Sequence, residues 1–107
     1  MKKIMISQPM ASLTEELIIE TRNRFLEFSK ENNFEVVNTY FNNEFYSHEE
    51  IKSRGVVNIP VYFLAKSLEA MSSCDAVYFA KDWQKARGCR IEHEVAVEYE
   101  LEIIYEE

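Results

Sequence analysis

Lys3 to Ser7 carries three consecutive apolar residues, Ile4, Met5 and Ile6, and predicts a first strand buried on both faces. The pattern breaks at Gln8, Pro9 and Met10. Leu17, Ile18, Thr21, Phe25 and Phe28 then recur at helical spacing. Ser12 or Thr14 caps this helix, Glu15 and Glu16 sit in its first turn, where the dipole favours acid, and Asn32 and Asn33 suit its end. Phe34 to Asn38 reads as a second strand, and the strand–helix–strand unit is long enough for a right-handed parallel crossover. Thr39 to Ile59 is the least regular stretch, with Tyr40, Phe41, Phe45, Tyr46 and a short helix from Ser47 to Arg54. A connection of this length in a small domain is a binding loop or lid, or else its aromatics pack on the body of the domain. Pro60 suits a helix first turn, and Leu64, Leu68 and Met71 mark that helix's buried face. Asp75 to Ala80 is the third strand. A third long helix runs from about Gly88 to Glu100 with Ile91, Val95, Ala96 and Tyr99 inward, and Glu102 to Tyr105 closes as the fourth strand. The order predicts an α/β fold: one domain over residues 1–107, a small open parallel sheet of about four strands, and helices on both faces in a flavodoxin- or Rossmann-like three-layer sandwich.

Length and composition fit one ordinary globular domain with a modest core, for which oligomerisation is a reasonable further source of stability. Twelve basic against nineteen acidic residues leave a net charge of −7, with much of the acid between Glu92 and Glu107. That balance argues against a nucleic-acid polymer as partner and leaves room for a small anion held by one or two arginines. Cys74 and Cys89 have neither metal nor redox spacing and read as reduced thiols in a cytoplasmic protein. The apolar run after Met1, Lys2 and Lys3 is too short for a signal peptide, and no window approaches a membrane span.

Ligands of open α/β sheets bind over the carboxyl ends of the strands. Three loops converge there: Ser7 to Met10, the loop opening at Thr39, Tyr40 and Phe41, and Lys81 to Trp83. Gly88 lets a ligand or another backbone come close, and Glu92 projects from the following helix. Hydrogen-bonding groups, an aromatic platform, cations and a carboxylate suit a nucleoside or nucleotide. Trp83 either stacks on a base or covers a hydrophobic edge; Arg87 either binds a phosphate beside the helix start or is a solvated surface arginine. There is no GxGxxG, no Walker loop and no GxSxG elbow, and His93 with Glu94 lacks the second histidine of a zinc helix. His48 and His93 read as surface residues, and Asp75 as a cap or turn residue at the far end of its strand.

Three features of the chain resemble the nucleoside 2-deoxyribosyltransferase-like proteins, most closely their small, phage-associated branch. They are Gln8-Pro9 after the first strand, the segment from Asp75 through Asp82, and the G-x3-E-x3-A pattern of Gly88, Glu92 and Ala96. The resemblance covers nearly the whole chain. It implies an enzyme in which Glu92 attacks the anomeric carbon, the base leaves, and the glycosyl-enzyme is taken by another base or by water. It also implies a homo-oligomer whose subunits complete each other's site. A carboxylate under that carbon stabilises an oxocarbenium-like state and traps it covalently. The chain departs from the family at Ser67 and Ala86, where catalytic members often carry aspartates, and at Glu94, where they carry glycine. Lys81 or Asp82 would have to replace the missing acid, whereas a substrate with an already cationic leaving base needs none.

Three functions follow. The first is N-glycosidic cleavage or (deoxy)ribosyl transfer by Glu92, with Ser7, Gln8, Pro9, Met10, Tyr40, Asp82, Trp83, Arg87 and Gly88 around the substrate and neither cofactor nor metal required. The alternative is a non-catalytic binder of a nucleotide or nucleotide-derived signal. The third is an interaction domain whose acidic tail docks on a basic partner.

Overall fold

The computed structural model describes residues 1–38 and 48–107. Strand β1 (Lys3–Ser7) lies inside a four-stranded sheet, with β2 (Glu35–Val36) on one side and β3 (Ala76–Phe79) on the other; β4 (Glu102–Tyr105) follows β3 at the edge. Every pairing is parallel, in the order β2-β1-β3-β4. The apolar runs of β1 and β3 are inaccessible to solvent because each strand has layers on both faces.

Strand periodicity divides these residues between two cores. Ile4 and Ile6 of β1, Ala76 and Tyr78 of β3, and Ala80 just after it pack with Phe25 of α1 (Glu15–Glu31). Met5, Val77 and Phe79 point to the other face, where they meet Met71 of α3 (Ile59–Met71) and Ala96 of α4 (Arg87–Glu98). The expected three-layer α/β sandwich is thus formed, with α1 on one side of the sheet and α3 and α4 on the other. The same alternation sends Ser7 to the α4 side, where a polar side chain needs a polar partner.

Local chemistry fixes the element ends. Thr14 caps α1, its hydroxyl accepting from the Leu17 N–H at 3.2 Å, and Asn33 leaves the helix in the left-handed conformation (φ 58°) that asparagine tolerates. Asn58 caps α3 by accepting from the Val61 N–H at 3.1 Å, with Pro60 in the first turn, where its missing donor costs nothing. Asp75 accepts from the Lys3 N–H at 2.8 Å and ties the start of β3 to β1, far from the carboxyl ends. The short helix α2 (His48–Ser53) buries Ile51.

Several expected details differ. β2 is shorter than Phe34 to Asn38, although the Val37 N–H still reaches the Ile4 carbonyl at 2.8 Å. The inward stripe of α4 is Cys89, Glu92 and Ala96, while Ile91 is 39% exposed and Tyr99 is 77% exposed. Residues 89, 92 and 96 recur at helical spacing, and Ile91 lies on another face. Leu17 of α1 is exposed, and Phe25 and Ser29 take the buried positions. His93 is half-buried rather than on the open surface. Among the described residues no helix is long and apolar enough to cross a membrane.

Candidate functional site

Chain order reverses at β1: the chain leaves it for β2 on one side and returns to β3 on the other. Strand ends diverge at such a point and leave a crevice. Ser7 and Phe79, the last residues of β1 and β3, are in register there. A cavity of about 680 Å³ opens beside them, a size ordinary for a small-molecule site. The β1 end, α3 and the start of α4 form its walls.

Glu92 is the buried charge of this cavity, with only 7% of its surface exposed. It occupies the inward stripe of α4 because Ser7 meets it: the Ser7 hydroxyl donates to Glu92 Oε1 at 2.5 Å. Burial raises the carboxyl above its ordinary value, and the hydrogen bond from the Ser7 hydroxyl, with the nearby Ser67 hydroxyl, pulls it back only in part. Cys89, one turn earlier on the same face, is a free buried thiol. Burial pushes it up to about 11, the contact with Ser7 acts the other way, and the Glu92 charge adds to the rise. At that value the thiol stays protonated and is a poor nucleophile.

The start of α4 forms the charged edge of the cavity. Ala86, at its N-cap, has no side chain to satisfy the first-turn amides. Lys85, Arg87 and Gly88 line the cavity beside it. Open space surrounds the position where a Cβ on Gly88 would lie, so no neighbouring protein backbone requires glycine there.

The expected site residues divide accordingly. Ser7, Gln8, Met10, Arg87, Gly88 and Glu92 line one cavity. Gln8 has a structural bond as well, its amide donating to the Ile18 carbonyl of α1 at 3.1 Å. Pro9, Asp82 and Trp83 do not line it. Asp82 takes a left-handed backbone (φ 66°) and holds its carboxylate 3.4 Å from Lys85 Nζ. Trp83 stacks on His93 at 4.1 Å between ring centroids and also meets Phe79 and Tyr105, so it covers the hydrophobic edge of the sheet. His93 Nε2 completes this cluster at 2.6 Å from the Tyr105 hydroxyl. Tyr40 lies outside the described residues.

Ser67 and Cys89 also line the cavity and were not among the expected site residues. Ser67 falls between Leu64 and Leu68 on the inward stripe of α3, so the helical period that marks those leucines also marks it. Cys89 precedes Glu92 by three residues and shares its face. Asn58, Pro60, Phe63 and Leu64 bring α3 into the wall.

This arrangement can hold a small molecule against a buried carboxylate, with cations and free amides at one edge. Among the described residues no group of three histidines, cysteines or acids is placed to hold a metal ion. No curated protein and no solved structure matches the chain. A family model described as a domain of unknown function, DUF4406, matches residues 29–105, from the last turns of α1 through β4 and so across Ser67, Cys89 and Glu92, and the chain belongs to that family.

Proposed function

We propose that this protein cleaves or transfers the N-glycosidic bond of a nucleoside or nucleotide, with Glu92 as the nucleophile. One observation carries the reading: a buried carboxylate, the one carboxyl among the described residues that line the cavity, positioned by the Ser7 hydroxyl at the switch point of a parallel sheet. A carboxylate that attacks the anomeric carbon must be ionised and oriented. Ser7 and Ser67 favour the ionised form, and the Ser7 bond leaves Oε2 as the oxygen for attack. Burial removes the water that would otherwise solvate the charge and blunt the attack. The apolar wall from Pro60 to Leu64 suits the face of a base or sugar, and the α4 start with Lys85 and Arg87 suits an anionic group such as a 5′-phosphate. In this reading the protein works in the cytoplasm as a homo-oligomer.

Base release is followed chromatographically over deoxynucleosides, deoxynucleotides, ribonucleotides and NAD, with Glu92→Ala in parallel. The variant is expected to lose roughly a thousandfold or more of the rate, the scale on which a lost nucleophile is felt. A 2-fluoro-sugar substrate should leave its adduct on Glu92 in the mass spectrum; an adduct on any other residue overturns the mechanism.

A second reading, binding of a nucleotide or nucleotide-derived signal without turnover, is favoured by the lack of a second carboxyl among the described residues that line the cavity. It expects the ligand to be recovered intact after saturable binding.

A further inference from the structure

The ionisable groups of the cavity set a condition on what can leave. Among the described lining residues Glu92 is the one carboxyl, Lys85 and Arg87 are cations, and Cys89 is a buried thiol. Asp82 is outside the lining, beside Lys85, and Asp75 sits at the opposite end of β3 against the Lys3 N–H. Glu92 cannot attack as a carboxylate and protonate the leaving base in the same step. A neutral base that departs unprotonated leaves as an anion, which is a high barrier without a general acid. A base that already carries positive charge leaves neutral.

We propose, resting on the N-glycosidic reading above, that the substrate is an N-glycoside with a cationic base, of the pyridinium or N7-alkylpurinium class. Glu92 Oε2 forms a bond to the anomeric carbon as the carbon–nitrogen bond breaks. The electron pair of that bond goes to the ring nitrogen and cancels the charge of the base. Water then attacks the same carbon, the ester bond breaks back to the Glu92 carboxylate, and one proton passes to solvent. Each turnover consumes one water and releases one proton, with no acid needed on the base.

The placement of charge agrees. Glu92 is largely buried, so its field on a neighbouring cation is weakly screened. The Lys85 side chain is 79% exposed and faces Asp82, so its repulsion of the same cation is strongly screened. Arg87 is likewise exposed. The buried charge therefore decides which base the cavity favours.

The test uses the intact wild-type protein and neutral–cationic pairs that share a sugar: 7-methylguanosine with guanosine, 7-methyl-2′-deoxyguanosine with 2′-deoxyguanosine, and their 5′-monophosphates, with nicotinamide riboside as a further cationic substrate. Enzymatic base release, corrected for the spontaneous rate, should favour the cationic member by about a hundredfold or more, the usual range of a general acid's contribution. Read on nicotinamide riboside, whose pyridinium charge does not titrate, the pH profile should fall on the acid side and stay flat on the alkaline side. Equal rates within a neutral–cationic pair, or an alkaline limb with nicotinamide riboside, would reveal an acid acting on the base and overturn this inference while the N-glycosidic reading stands. No Glu92-dependent release from any pair, together with no 2-fluoro-sugar adduct, would overturn both.

Discussion

At the scale of single residues the site turns on one contact, Ser7 to Glu92. Alternation along β1 decides it, since Met5 and Ser7 share a face and the first is core while the second is polar. Glu92 was legible from Gly88, Glu92 and Ala96, but its partner's role was not: a serine at a strand end reads equally well as a turn residue. Nor does the local pattern predict that an acid belongs on the inward stripe of α4, because periodicity favours Ile91 until the Ser7 contact is known. Removing that hydroxyl gives a direct check. A hydrogen bond to a charged group supports it by about 1.5–3 kcal/mol. In Ser7→Ala the Ser67 hydroxyl is the remaining donor, so the Glu92 carboxyl should rise further above its ordinary range. The acid limb of base release should move to higher pH, with the rate on that limb down about tenfold or more at fixed pH and the plateau much less affected. An unmoved limb would show that Ser7 does not support the ionised carboxylate.

At the scale of elements the periods were informative and the loops were not. Leu64, Leu68 and Met71 located α3, and Pro60 located its first turn; these are local signals, to which the structure adds the Asn58 cap. The segment after β3 has no period to read. Asp82 turns left-handed, a short 3-10 helix spans Trp83–Lys85, and the indole is carried onto the outer edge of the sheet. Trp83 therefore belongs with Phe79, His93 and Tyr105, elements distant in sequence that no local pattern connects. Trp83→Leu should lower stability by about 1–3 kcal/mol through lost area and ring contacts. The KM for the substrate should stay within about twofold, because a residue outside the cavity wall has no uniform binding to lose. Urea unfolding and steady-state kinetics on one preparation separate the two effects. A tenfold rise in KM would return Trp83 to the substrate.

At the scale of the whole molecule, two acids shaped by opposite surroundings set how stability follows pH. Glu106, just past β4, accepts from Arg24 Nε of α1 at 2.7 Å and from the Lys81 N–H after β3 at 2.9 Å, so one carboxylate joins three distant parts of the chain. Burial alone would raise it, yet the hydrogen bonds from Arg24 and Lys81 and the nearby positive charge outweigh that and hold it below its ordinary value. Its contribution is therefore present above the unfolded value and is lost as pH falls through the folded one. Glu92 runs the other way: its folded value is raised, so its contribution is full below the unfolded value and is lost as pH rises through the folded one. Glu106→Gln should then unfold more easily near neutrality, by about 1 kcal/mol given that Arg24 is half-exposed, and should match wild type in acid. Glu92→Gln keeps an acceptor for Ser7 and removes only the buried charge. It should unfold at a higher temperature near neutrality, by a few degrees for each half kcal/mol in a domain of this size, with the gain vanishing in acid. Melting curves of the three proteins across the acid-to-neutral range give both differences at once. A Glu92→Gln variant less stable than wild type at neutral pH would mean that the ionised carboxylate supports the fold, and the site would then be a structural ion rather than a strained functional one.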